Sequence, residues 1–142
     1  MNLNFINECN LRFSKELFLE VLKKATQLLE IPEKEVELVL VNDAEMQRIN
    51  SETRGKNVPT DVLSFANREI EEESMRDSNS LGQIFISVET AAKNAAEMNQ
   101  SLEEEMQFLF VHGVLHCVGY DHQNPEEEEK MKEMAYKILG RN

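Results

Sequence analysis

Three residues dominate the chemistry this chain can do. Its only histidines, His112, His116 and His122, fall in one segment: His112-Gly113-Val114-Leu115-His116-Cys117-Val118-Gly119-Tyr120-Asp121-His122. The apolar run around the first two has helical spacing. Residues four apart on a helix leave the same face, so both imidazoles point one way. Gly119 permits the chain to reverse after the helix, which brings His122 back toward the pair. Three neutral imidazoles converging from one side suit one zinc ion, with a fourth position left for water. A lone histidine is more often a capped or core residue, but a pair at this spacing followed by a turn and a third histidine is far more specific.

The spacing equals that of the extended zincin motif. That motif carries Glu directly after its first His, and here the position is Gly113. The general base of a zinc peptidase is therefore missing, which argues against that activity. Cys117 follows His116 directly and points about 100° away around the helix, so it reads as core and not as a ligand. There is no serine in a nucleophile elbow, and no Walker or dinucleotide glycine pattern.

These residues need a scaffold, and the patterning supplies one. A short apolar stretch from Leu3 to Ile6 reads as a strand. Ser14 reads as an N-cap for a helix carrying Leu17, Phe18, Val21, Leu22, Ala25, Leu28 and Leu29, closed by Pro32. Val36, Leu38 and Leu40 alternate as a second strand, and a short helix follows Asp43. Residues 51–60 combine Gly, Pro and polar types and read as a loop. Val62–Phe65 and Leu81–Val88 read as two more strands, separated by an acidic loop. Gly82 weakens the interior of its strand and signals close backbone approach. Three helices finish the chain. The first spans about residues 89–99. The second opens on a Ser101/Glu104 capping box, is apolar around most of its circumference and ends at Gly119. The last opens on Asn124-Pro125 and ends at Gly140. The expected architecture is α+β: one domain over residues 1–142, a mixed sheet of about four strands, and a central buried helix carrying H-x-x-x-H.

Composition agrees with a single globular domain. The chain has 142 residues, 41% hydrophobic and 30% charged. Aromatics are 6% and Trp is absent, so the core must be mostly aliphatic. No apolar run reaches the roughly 18–20 residues of a membrane span, and the first residues show no secretory pattern. Cys9 and Cys117 form no disulfide framework, which predicts a cytoplasmic protein. Twenty-seven acids against fifteen bases give a formal charge of −12. Such a chain does not coat nucleic acid through bulk charge; any RNA contact must be local or aided by a metal or partner. The acidic clusters at residues 69–77, 103–105 and 126–129 read as solvated loops and helix starts.

The segment H-G-x-L-H-x-x-G-Y-D-H at residues 112–122 resembles the signature of the YbeY family of bacterial rRNA endonucleases. Arg54-Gly55-Lys56-Asn57-Val58-Pro59-Thr60-Asp61-Val62-Leu63-Ser64-Phe65 is similar to the family's R-G-x-x-x-P-T-D-V-L-S-F block, and Leu81–Ser87 to its L-G-D-I-x-I-S strand. Two positions depart: Gln83 stands where the family usually has Asp, and Ala135 where Glu is common. The resemblance implies a hydrolase: a single-strand-specific, metal-dependent endoribonuclease in small-subunit rRNA 3′-end maturation and ribosome quality control. It implies one Zn2+ on His112, His116 and His122, with ribosomal or GTPase proteins as partners and no DNA or membrane. A guanidinium can clamp a phosphate oxygen in bidentate fashion, and Arg54 matches the family's functional arginine. Lys56 and Arg68 flank the block and can extend a basic lip; both also fit as plain surface charges. Asp61 can orient a ligand histidine or cap a turn, and the turn role is favoured. Two other classes stay open: a zinc hydrolase acting on another substrate, and a non-enzymatic ribosome-assembly factor with a structural metal.

Overall fold

A computed structural model describes residues 1–141. The elements run β1 (Asn2–Asn7), α1 (Lys15–Leu29), β2 (Glu35–Val41), α2 (Asp43–Arg54), β3 (Val62–Ala66), β4 (Ser80–Ser87), α3 (Val88–Glu97), α4 (Leu102–Val118) and α5 (Pro125–Leu139). The sheet order is β1-β2-β4-β3. The first three strands are parallel, and β3 runs antiparallel to β4. The α+β class and the mixed four-stranded sheet are as expected.

Both faces of the sheet are covered. Val36, Leu38 and Leu40 of β2, with Ile84 and Ile86 of β4, pack in one core with Phe18, Leu22, Met106, Phe110, Leu115, Met131 and Ile138 of α1, α4 and α5. Val39 and Val41 point the other way and meet Met46 and Ile49 of α2 and Leu63 of β3. The strand period of two splits β2 between the two cores. Ala135, the family departure in α5, is buried in the larger core, where a small side chain fits.

The capped helices match the sequence closely. The Ser14 side chain accepts from the Glu16 N–H, and Ser101 and Glu104 close a reciprocal box at the start of α4. Asn124 caps α5 with Pro125 at its first turn. Two boundaries differ. Helix α1 ends at Leu29, where Glu30 takes a left-handed conformation (φ 52°), before Pro32 is reached. Helix α2 continues through Arg54, so residues 51–54 are helical and not part of a loop. Their polar composition belongs to an exposed helical turn, and nothing before Gly55 breaks the hydrogen-bond ladder. The Gly55 N–H bonds to Ser51 and Asn50 carbonyls to close it.

Two glycines let backbones approach. A Cβ on Gly82 (φ 153°) would lie 2.5 Å from the Phe65 carbonyl and 2.8 Å from Cys117 Sγ. A Cβ on Gly113 would lie 2.8 Å from Ile84 Cγ2. Helix α4 therefore sits directly on β4, with no room for a side chain between them. Cys117 is buried, and its burial pushes the thiol pKa up to about 12, so it stays an inert core thiol.

Glu105 is the one buried acid of α4. It accepts a bond from Gln100 Nε2 at 2.8 Å. Burial raises its pKa, the charge of Asp61 adds to the rise, and Asn94, Gln100 and Arg141 partly offset it. A raised folded-state pKa means stability is fully present below the unfolded value and is lost as pH rises through the folded value. Glu105→Gln removes that loss. Its unfolding free energy should gain on wild type as pH rises from 4 to 8, which denaturant midpoints at several pH values would show. A pH-independent difference would contradict the assignment.

Candidate active site

The functional side chains gather along the open edge of the sheet. β3 is the last strand, so every second residue of β3 turns its backbone polar groups away from β4. Three of those groups, one on each of Val62, Ser64 and Ala66, find a side chain. The Val62 N–H donates to Asp61 Oδ1 at 2.8 Å, the Ser64 carbonyl accepts from Arg54 Nη2 at 3.0 Å, and the Ala66 N–H donates to Glu69 Oε1 at 3.2 Å. Asp61 thus binds the start of the strand edge, where the sequence favours a turn cap. Its other oxygen accepts from Asn94 Nδ2 at 3.1 Å.

Along this edge lies an open cleft of about 690 Å³ between the end of α2, the loop 56–60, strand β3 and the end of α4. Arg54, Lys56, Ser64, His112, His116, Asp121, His122 and Gln123 all line it. The core stripe of α4 takes Leu109, Phe110, Val114 and Leu115, which leaves His112 and His116 on the stripe facing the cleft. Gly119 ends the helix in a left-handed conformation, and the Tyr120 N–H bonds back to Leu115. That reversal brings His122 to His112, with ring centroids 5.6 Å apart. The three histidines that the spacing singles out all line this one cleft.

Arg54 reaches the cleft from the opposite face of the sheet, at the C-terminal turn of α2. Its guanidinium lies 5.0 Å from the Phe65 ring centroid. Among the described residues it has no carboxylate partner, whereas Arg48, two turns earlier, is paired with both Glu45 and Glu52. Arg54 therefore presents an unneutralised cation with most of its N–H groups free.

Arg68 does not join this cleft. Its Nη2 donates to the His116 carbonyl at 2.9 Å, closing one of the unpaired carbonyls at the end of α4. It lines a separate cavity with Leu81, Cys117 and Val118. The neighbouring Glu69 is the residue that sequence reasoning missed. Read as a solvated acid, it sits with Oε1 3.3 Å from His116 Nε2, across 47 positions of chain. No local signal marks that contact.

The donor set fits a borderline-soft divalent ion in type. Burial lowers the His112 pKa, helped by the nearby His122 and His116 and opposed by Asp61, so the ring is held neutral and able to ligate. The rings are not drawn tight: among the described residues no three His, Cys, Asp or Glu side chains stand close enough to hold one ion between them. His116 cannot both engage Glu69 through Nε2 and ligate through the same atom.

A histidine trio facing an unpaired arginine across an open cleft, on a mixed α+β sheet, is the equipment of an enzyme that handles an anionic substrate. The chain belongs to the Endoribonuclease YbeY family, whose family model matches residues 4–142; it is an endoribonuclease. It is 48% identical over 112 residues to an Endoribonuclease YbeY of Heliobacterium modesticaldum, covering 74% of this chain and 68% of that one. The Enterococcus faecalis protein of that name is 38% identical over 152 residues, covering 98% and 96%. A Thermotoga maritima protein solved in solution shares the fold with a TM-score of 0.63 at 27% identity, covering 97% of this chain and 89% of that one. Among the described residues, no helix is long and apolar enough to cross a membrane.

Proposed function

We propose that this chain is a metal-dependent endoribonuclease that cuts single-stranded RNA, with the 3′ end of small-subunit rRNA as its substrate and a role in ribosome quality control. The observation that carries the reading is the convergence of Arg54 and all three histidines on one cleft. His112, His116 and His122 would hold the metal, most simply one zinc ion. Bound there, it supplies positive charge that activates water and offsets charge on the phosphate.

The chain's own groups do the rest. Arg54 takes a non-bridging phosphate oxygen through its free N–H groups, and its interaction strengthens as charge develops there. Lys56 guides the flanking backbone. Gly113 leaves the position of a zinc-peptidase base empty; the carboxylates near the site are Asp121, Asp61, whose charge acts on His112, and, at His116, Glu69. The formal charge of −12 repels a long polyanion, so attraction has to be local, from the cleft that carries Arg54 and Lys56. That favours a strand presented by a ribosomal subunit or a partner protein, in the cytoplasm, over naked duplex.

Metal analysis and cleavage of defined RNAs test the reading together. Wild type should carry zinc and cut a single strand in preference to the same sequence as a duplex. His116→Ala should lose both the metal and the cleavage. Metal binding should weaken below about pH 6, since each ligand must be neutral. Equal zinc in wild type and His116→Ala, or equal cleavage of duplex, would overturn it.

A further inference from the structure

We propose that Phe65 is a positioning residue for cleavage: its ring fixes the Arg54 guanidinium so that the free N–H groups face the histidines. The inference rests on the proposed role of Arg54 as the phosphate clamp.

Arg54 is the last residue of α2 and is largely exposed. A side chain there ordinarily samples many rotamers, and immobilising it at the moment of reaction is costly. Two contacts restrict it. One N–H group is fixed on the Ser64 carbonyl at 3.0 Å. The Phe65 ring lies beneath the guanidinium carbon at 5.0 Å, a distance at which the ring's π-face attracts a cation. The hydrogen bond holds one end of the planar group, and the ring holds its carbon. Together they determine where the remaining N–H groups point.

The ring is itself held. Phe65 meets Phe85 edge-to-face, with centroids 5.9 Å apart and planes at 81°. Phe85 pairs directly with Leu63 across the two strands, and both aromatic side chains pack on the small core of Val39, Val41, Met46 and Ile49. A rigid sheet therefore supports the ring, and the ring supports the arginine. The plane of the guanidinium matters because bidentate recognition of a phosphate needs the fork in a fixed orientation, whereas a point charge does not.

A double-mutant cycle with an independent spectroscopic readout tests this. Phe65→Leu keeps an apolar side chain on the small core but removes the π-face; Phe65→Met serves if that variant unfolds. Single-turnover cleavage by Phe65→Leu should fall about two- to fivefold where Arg54 is present, the scale of an exposed cation–π contact. In an Arg54→Ala background the same substitution should change nothing further. Phe65→Tyr, which keeps the ring, should retain most of the wild-type rate. In NMR spectra the Arg54 side-chain protons should show a ring-current shift that Phe65→Tyr preserves and Phe65→Leu abolishes. Equal losses from Phe65→Leu in both backgrounds would overturn the inference, because the residue would then act through the fold. An unchanged rate for Phe65→Leu beside wild-type Arg54 would do the same. Wild-type cleavage by Arg54→Ala alone would remove the clamp reading and this inference with it, so the two failures are told apart.

Discussion

Arg54→Ala should cleave a defined single-stranded RNA about 10²–10³-fold more slowly than wild type, the scale of losing one transition-state donor. Its metal content and unfolding midpoint are expected to stay unchanged. The reason lies in where the charge is spent. Arg48 is neutralised by two glutamates on its own helix, but Arg54 keeps its charge for whatever enters the cleft. An interaction that strengthens as the phosphate gains charge lowers the barrier and not merely the binding constant. Arg54→Lys should recover only part of the loss, because an ammonium keeps the charge without the planar fork. Single-turnover rates at saturating protein remove differences in substrate affinity. Wild-type rates in both variants would mark Arg54 as a solvated surface cation.

The second large effect is structural. Gly113→Glu would write the zinc-peptidase sequence into α4, yet it should unfold the protein and not convert it. The new Cβ alone would sit 2.8 Å from Ile84 Cγ2 and 3.0 Å from Ile84 Cδ1, on a side chain that is fully buried in a central strand. Overpacking of that kind costs about 1–3 kcal/mol. A carboxylate driven into the same contact adds several kcal/mol more. Gly113→Ala isolates the steric part. On an exposed helix the change from Gly to Ala stabilises by about 1 kcal/mol, so a net loss here has the opposite sign to propensity. Combining Gly113→Ala with Ile84→Ala should cost less than the two single losses added, since Ile84 supplies the clashing atoms. Denaturant midpoints measure all of this, and a stabilised Gly113→Ala would refute the packing argument.

What the sequence discloses and what it hides follow one division. Features set by neighbours along the chain are legible: the Ser101/Glu104 box, the Asn124-Pro125 start of α5, the strand periods, and the two histidines one helical turn apart. The third histidine was readable because Gly119 limits where the chain can go next. Features set by distance across the fold are not. Glu69 looks like one acid among many until the turn at residues 67–69 carries it to His116. Arg68 looks like a companion of Lys56, but its bond to the His116 carbonyl turns it into a separate cavity. Arg54 reads as a loop residue because its neighbours are polar, and only the position of Gly55 decides that the helix runs on. That the cleft follows β3 depends on β3 lying last in the sheet, which no local pattern encodes.

The stitched edge of β3 has a consequence for how these molecules live beside one another. An exposed strand is a template, and any extended segment from another copy can join it by backbone pairing. Here Asp61, Arg54 and Glu69 each engage one outward-facing backbone group, on Val62, Ser64 and Ala66 in turn. Charged side chains set along an edge in this way work against its extension by a second molecule. The arginine proposed to grip the substrate is thus also one of three charged side chains set along that edge, which ties its retention to colloidal behaviour as well as to turnover.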